Sequence, residues 1–150
     1  MKKRIISLLC AVLMLTAVCV PAFAATNNDN DNTFSPASLT PYGYSFYLDG
    51  KTVYIPDGIV LGPEGWGISS GIHVTTAQKV LNSIHNRFAK YNDDLNCYVG
   101  AADGIYGQKT FSGAMSFQAW SNRMNSKKIQ ADGLIGPATL GMMSYYNHDM

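Results

Sequence analysis

The side chains that could perform chemistry are few and scattered along the chain. The three histidines do not share the spacing of a metal site, and no H-E-x-x-H segment occurs. No G-x-S-x-G segment is present, and no motif sets a histidine beside a cysteine. We therefore expect a protein that is not an enzyme and that uses no metal and no cofactor. The histidines are His73, His85 and His148.

Cys97 is the one cysteine outside the apolar N-terminal segment, which holds Cys10 and Cys19. A single cysteine cannot form an internal disulfide, and a small buried apolar residue is its expected role. The acidic pair Asp93-Asp94 lies in a polar stretch, which is typical of a solvated surface. Neither feature indicates a catalytic group.

The first 24 residues have the pattern of a secretory signal peptide. A basic start at residues 2–4 precedes an apolar run at residues 5–20, and Ala22 and Ala24 occupy the two small-residue positions of a cleavage site. We expect cleavage between Ala24 and Ala25. Val18 before Cys19 does not suit a lipoprotein signal. The predicted location is extracellular.

The mature chain, residues 25–150, has eight basic and ten acidic residues and thus a formal charge of −2. Nucleic-acid binding depends on clustered lysine and arginine, so this balance argues against a nucleic-acid partner. No second apolar run of membrane length follows the signal, and we expect no transmembrane segment in the mature chain.

Composition divides the rest of the chain into three parts. Residues 25–40 are rich in Asn and Asp, and we predict a disordered leader. Residues 41–73 are predicted to form a β-hairpin, with Asp49-Gly50 at a type I′ turn, and then a glycine-rich loop. The turn pairs Phe46 with Val53 and Tyr44 with Ile55, and this apolar face should pack against the rest of the protein. Trp66 in the loop is expected to cover the core, and stacking on a ligand is its alternative role.

Residues 74–150 are predicted to be a domain of three helices. The first carries an apolar stripe at spacings of three and four, and Thr75 or Thr76 could cap it. The second spans about residues 108–124, and the third begins near Pro137. The predicted fold class is mainly α, a small orthogonal three-helix bundle with an N-terminal β-hairpin. The stripe consists of Val74, Ala77, Leu81, Ile84 and Phe88, the second helix draws apolar bulk from Phe111, Ala114, Met115, Phe117 and Met124, and the third turns Leu140 and Met143 inward.

An internal repeat precedes the second and third helices. Residues 103–110 read DGIYGQKT and residues 132–139 read DGLIGPAT, 29 positions apart. Asp can bond to its own backbone in such a turn, and Gly supplies a positive φ. We expect the repeated residues to be architectural. They are Asp103, Gly104, Gly107, Asp132, Gly133 and Gly136.

These segments together resemble the peptidoglycan-binding-like domain, a three-helix module of bacterial cell-wall hydrolases. VTTAQKVL at residues 74–81 and AMSFQ at residues 114–118 are similar to its helix-one and helix-two motifs, and the two D-G segments match its turns. Ala77 and Met115 depart from the pattern, and residues 86–102 form an insert. The resemblance implies a three-helix fold, association with the cell wall and peptidoglycan binding, with its glycan or stem peptide as partner.

The expected ligand surface lies at the starts of the second and third helices, where unpaired N–H groups favour a carboxylate. If the two turns are neighbours, Gln108 and Lys109 would line one groove with two aromatic rings. The rings are those of Tyr106 and Trp120, and the alternative for both is a place in the core. If they line the groove, their loss should weaken wall binding more than the loss of Trp66. With a charge of −2, bulk electrostatics would not aid binding to an anionic wall.

Two function classes remain open from the sequence. The first is a secreted, non-catalytic module that binds peptidoglycan. The second is a secreted interaction or regulatory protein that holds a protein partner, such as a separate cell-wall hydrolase. Fold analogy does not decide between them.

Overall fold

The computed structural model describes residues 39–40 and 43–148, and the predicted signal peptide with its cleavage site lies outside these residues. A three-stranded antiparallel sheet in the order β1-β2-β3 precedes the helices. The described part of the chain is mainly helical with an N-terminal hairpin, as the sequence predicts. Its elements are β1 Leu39–Thr40, β2 Gly43–Leu48, β3 Lys51–Ile55, α1 Ile72–Phe88, a 3-10 turn Ala89–Tyr91, α2 Gln108–Met124 and α3 Pro137–His148.

The hairpin has the register that the sequence predicts. Phe46 pairs with Val53, and Tyr44 pairs with Ile55. Both turn residues have positive φ, 52° at Asp49 and 75° at Gly50, as a type I′ turn requires. The end of the predicted leader is different, because residues 39–40 pair with β2 as a short strand instead of being disordered.

The helices follow the predicted stripes, with two corrections. Helix α1 begins at Ile72 behind Gly71, so Thr75 and Thr76 lie inside the helix and do not cap it. Their hydroxyls donate to the carbonyls of Gly71 and Ile72. On α2, Met115 and Met124 are exposed and add little to the core, whereas Ala114 and Phe117 are buried as predicted. Leu140 and Met143 of α3 are also buried, in agreement with the sequence.

The hairpin, the loop and the helices share one hydrophobic core, so the boundary predicted at residues 73 and 74 falls inside a packed unit. Side chains of α3 hold β2 in place. The Asn147 amide accepts the Tyr47 N–H at 2.5 Å and donates to the Tyr47 carbonyl at 3.2 Å. Ser144 Oγ donates to the Ser45 carbonyl at 2.8 Å, and His148 Nε2 lies 2.8 Å from Ser45 Oγ. The hairpin is therefore anchored by polar contacts as well as by apolar burial.

The start of the insert continues α1 to Phe88 and a 3-10 turn at Ala89–Tyr91, and the rest is a loop tied to the helices. Asn82 donates to the Gly100 carbonyl at 2.7 Å and accepts the Val99 N–H at 2.8 Å. The Asn96 N–H donates to Ser116 Oγ of α2 at 2.9 Å. Within residues 43–148, no helix is long and apolar enough to cross a membrane.

Candidate functional site

Each D-G turn is held by a buried glutamine from the preceding helix. In the first turn, the Gln78 amide N–H₂ donates to the Asp103 carboxylate at 2.9 Å and to Thr110 Oγ1 at 3.0 Å. It also donates to the carbonyl of Ile105 at 3.0 Å, while its oxygen accepts the Gly104 N–H at 2.8 Å. The amide therefore contacts four polar groups of one turn, and its two N–H hydrogens are shared among three acceptors.

The second turn repeats this arrangement with Gln118 of α2. Its N–H₂ donates to Asp132 at 3.2 Å, to the Leu134 carbonyl at 2.8 Å and to Thr139 Oγ1 at 3.0 Å. Its oxygen accepts the Gly133 N–H at 2.9 Å. We call each of these units a glutamine clamp. The sequence predicts the turns but not the clamps, although both glutamines lie in the helix motifs quoted above.

The Asp of each turn accepts a hydrogen bond from the backbone of its own turn. Asp103 accepts the N–H of Ile105, and Asp132 accepts the N–H of Leu134, each at 2.9 Å. The Ile105 N–H and then the Gln78 amide lower the pKa of the Asp103 carboxyl, because both donate to its charged form. Asp103 thus remains an acceptor that shapes the turn.

The two turns are neighbours, as the ligand hypothesis required. The Tyr106 hydroxyl in the first turn donates to the Gly133 carbonyl in the second at 2.6 Å. Burial, and then the nearby Asp132, raise the pKa of Tyr106. Its ring is 5% exposed, so it joins the turns and is not open to a sugar.

Trp120 is also buried, at 2% exposed. It packs among Phe88, Phe117 and Tyr146, with ring centroids 5.5, 6.1 and 4.7 Å away. The prediction that Tyr106 and Trp120 line a ligand groove is therefore wrong, because both rings complete the core. Gln108 and Lys109 do lie exposed at the start of α2, behind Gly107, which provides no side-chain cap.

Trp66 is exposed, and the prediction that it covers the core is also wrong. Its side chain is 73% exposed at the tip of the glycine-rich loop. The Trp66 N–H donates to the Pro63 carbonyl at 3.0 Å, which closes a tight turn with Gly65 at φ 85°. The indole is therefore carried by an ordered, hydrogen-bonded loop.

The glycine-rich loop contacts both D-G turns. Leu61 exchanges two backbone hydrogen bonds with Ile135, at 3.0 and 2.9 Å. Further along, the Tyr106 N–H donates to the Ser69 carbonyl at 2.7 Å, and the Gly71 N–H donates to the Gly104 carbonyl at 2.9 Å. The two repeated turns thus hold in place the loop that carries Trp66.

Two exposed isoleucines belong to the same loop or bond to it. Ile68 lies two residues after Trp66, and Ile105 is paired with Ser70. Ile68 is 41% exposed and Ile105 is 60% exposed. We call Trp66, Ile68 and Ile105 the Trp66 surface.

The side chains that the sequence offers for catalysis have structural contacts. Cys97 is fully buried, its thiol donates to the Leu81 carbonyl at 3.3 Å, and burial raises its pKa to about 12. His85 packs beside Tyr98, with ring centroids 5.6 Å apart. Asp93 and Asp94 are exposed, and Asp94 pairs with Arg123 at 3.3 Å. Among the described residues, no group of three or more His, Cys, Asp and Glu side chains could hold a metal ion.

Comparisons of the chain with protein-family models, curated proteins and solved structures find no match. The likeness to the peptidoglycan-binding-like domain rests on the sequence motifs quoted above. The geometry adds that the two D-G segments of those motifs form equivalent, clamped turns.

Gly133 of the second turn provides a direct stability test, with Gly58 outside the turns as its control. Gly133 has φ 75°, and a Cβ added there would lie 2.5 Å from Cε2 of Phe111. Gly58 has φ 76° with nothing within 4 Å of an added Cβ. Both Gly133→Ala and Gly58→Ala should incur about 1 kcal/mol of left-handed strain, and only Gly133→Ala should also displace Phe111. We expect Gly133→Ala to lower the free energy of unfolding by about 1–3 kcal/mol more than Gly58→Ala does. Equal urea midpoints for the two variants would contradict this packing.

Proposed function

We propose that this chain is a secreted, non-catalytic module that binds peptidoglycan through the Trp66 surface. In this proposal the three helices form the orthogonal bundle of the peptidoglycan-binding-like domain, and export removes residues 1–24. The sequence motifs support the class of ligand. The exposure of Trp66 on an ordered loop supports the location of the site.

An exposed indole on a fixed loop is suited to a saccharide. The apolar C–H face of a sugar ring can cover a large, rigid aromatic surface, while the polar edge of the indole stays in water. The loop bonds to both clamped turns, so little ordering entropy would be lost when a glycan binds. The proposed ligand surface therefore lies on the glycine-rich loop and not at Tyr106 and Trp120.

The test is cosedimentation of the purified chain 25–150 with sacculi that have been stripped of protein. Trp66→Ala should weaken binding about tenfold or more, because a tenfold change corresponds to about 1.4 kcal/mol, a fraction of what burying an indole contributes. Tyr91→Ala is the matched control, since Tyr91 is 75% exposed and follows the opposite end of α1. Circular dichroism should show that both variants keep the parent fold.

Parent-like binding by folded Trp66→Ala would move the site away from this loop. A parent chain that stays in the supernatant would contradict wall binding altogether. The second candidate function, capture of a protein partner such as a cell-wall hydrolase, would then be favoured. The isoleucines of the Trp66 surface support that alternative, because exposed aliphatic patches are typical of protein interfaces.

A further inference from the structure

The Asp-Gly pairs of the chain differ in what the glycine N–H contacts. In such a pair the glycine has no side chain to shield its amide nitrogen from the carboxyl group of the aspartate before it. In the first D-G turn the Gly104 N–H donates to Gln78 Oε1 at 2.8 Å. In the second turn the Gly133 N–H donates to Gln118 Oε1 at 2.9 Å. The glutamine clamps therefore occupy both glycine N–H groups. The chain has four such pairs, which are Asp49-Gly50, Asp57-Gly58, Asp103-Gly104 and Asp132-Gly133.

The Asp57-Gly58 pair has a different arrangement. The Gly58 N–H donates to Oδ1 of Asp57 itself at 2.8 Å, and both residues are exposed. A carboxyl C–O bond is about 1.2 Å long, so the Gly58 nitrogen lies within about 4 Å of Asp57 Cγ. The hydroxyl of Tyr44, a residue of the core, donates to the same Oδ1 at 3.2 Å. A core residue therefore holds the carboxyl group beside the glycine nitrogen.

Packing around the glycines also separates Gly58 from the clamped pairs. No atom lies within 4 Å of the position that a Cβ would take at Gly58. At Gly104 the same position is 2.7 Å from Thr75 Oγ1, and at Gly133 it is 2.5 Å from Phe111 Cε2. The Gly58 nitrogen can therefore move toward Cγ without displacing a neighbour, and water has access to the pair. Reacting groups held close together by the fold react faster than groups that must first meet.

We propose that Asp57 is a site of spontaneous isoaspartate formation. The Gly58 nitrogen bonds to Cγ of the neutral carboxyl group, and the carboxyl O–H group leaves with the amide proton as one water molecule. One water molecule then opens the cyclic imide. Cleavage of the new N–Cγ bond restores aspartate, whereas cleavage of the original bond between the nitrogen and the Asp57 main-chain carbonyl carbon leaves isoaspartate. The two steps release and consume one water molecule, so the product has the mass of the parent.

The product changes the segment that leads from β3 into the glycine-rich loop. Isoaspartate has Cβ and Cγ of Asp57 in the main chain, and its free carboxylate is the former main-chain carbonyl group. The oxygen that accepts from both Tyr44 and Gly58 is thereby altered, so we expect this tie between the segment and β2 to be lost. The proposal does not depend on what the Trp66 surface binds.

The experiment is incubation of the chain 25–150 for several weeks, followed by peptide mapping with electron-transfer fragmentation, which distinguishes isoaspartate from aspartate. A mildly acidic pH is suitable, because the population of the neutral carboxyl form rises as the pH falls. We expect isoaspartate to form at Asp57 at least about tenfold faster than at Asp103 or Asp132, because a clamped turn must open before its glycine nitrogen can react. In water enriched in ¹⁸O, each isoaspartate should gain at least one heavy oxygen.

The chain unfolded in urea is the matched control, because it keeps the sequence and removes the contacts. Asp57 and Asp103 are both followed by Gly and then Ile, so their rates should be similar in the unfolded chain. Equal rates at Asp57 and Asp103 in the native chain would overturn the proposal. A difference that persists unchanged in urea would also overturn it, because the difference would then come from the sequence and not from the contacts of Asp57.

Discussion

Replacement of Gln118 by leucine should lower the free energy of unfolding by about 4 kcal/mol. Gln118 is fully buried and forms four hydrogen bonds to the second turn. Leucine has a similar volume, but the Gly133 N–H and the acceptors of the amide N–H₂ would lose their hydrogen-bond partner. Each buried polar group that loses its partner costs about 1–3 kcal/mol. The Thr139 hydroxyl also donates to the Leu134 carbonyl at 3.3 Å, which limits the total.

Urea unfolding followed by circular dichroism measures this effect. Gln78→Leu should give a similar loss, because its clamp has the same four partners in the first turn. Gln108→Leu is the matched control, since Gln108 is exposed and its amide contacts Ser112 at 3.2 Å. We expect Gln108→Leu to stay within about 0.5 kcal/mol of the parent. A Gln118→Leu midpoint equal to that of Gln108→Leu would show that the clamp does not stabilise the turn.

Gln118→Glu tests whether the stability of the clamp depends on the shape of the side chain or on its N–H₂ donors. The carboxylate keeps the size and one acceptor, but it loses the N–H₂ that serves three groups. It also faces the Asp132 carboxylate across the turn. We therefore expect Gln118→Glu to be destabilised about as strongly as Gln118→Leu.

Local patterns predict the elements of this fold well. The Asp49-Gly50 turn fixes the register of β2 and β3, because a two-residue loop leaves one pairing for every strand position. Helix α2 has the predicted bounds, residues 108–124, because it follows a turn motif whose glycine precedes the first helical residue. These features depend on contacts between residues that are close in sequence, so one amino-acid sequence is enough to predict them.

The clamps could not be predicted from local pattern alone. Gln78 lies 25 residues before Asp103, whereas Gln118 lies only 14 residues before Asp132. The different spacing hides their equivalence, even though each helix motif contains the glutamine. If each helix motif and the turn that follows it are treated as one repeated unit, Gln78 aligns with Gln118. This alignment is the signal that could have revealed the clamps.

The aromatic residues show the limit of sequence reasoning about the site. In the first turn Ile105 is exposed and Tyr106 is buried, so the second apolar position of the repeat enters the core. The residue types do not show which of the two positions is buried, because a tyrosine hydroxyl can bond to a carbonyl as well as to water. Trp66 lies among glycines without periodicity, and its exposure depends on the backbone contacts of Leu61 and Ser69 with the distant turns.

Cys97 should react with Ellman's reagent at pH 8 at least about a thousandfold more slowly in the native chain 25–150 than in the unfolded chain. Burial raises its pKa to about 12, which reduces the thiolate fraction about a thousandfold. The thiol is neutral in both states below its unfolded pKa of about 8.5. It therefore contributes stability that is fully present below this pH and is lost as the pH rises through about 12.

The neighbouring residue provides the control for access. Asn96 is exposed, so the Cys97→Ala, Asn96→Cys double variant should react at nearly the unfolded rate. Because removal of residues 1–24 leaves Cys97 as the one cysteine of the chain, the signal has a single source.

The native reaction of Cys97 requires its contact with Leu81 to open, so the rate reports the opening of the core. Gln118→Leu should accelerate the reaction of Cys97 in proportion to its loss of stability if opening is global. Native Cys97 that reacts as fast as the cysteine at position 96 would contradict its burial and make it a candidate nucleophile.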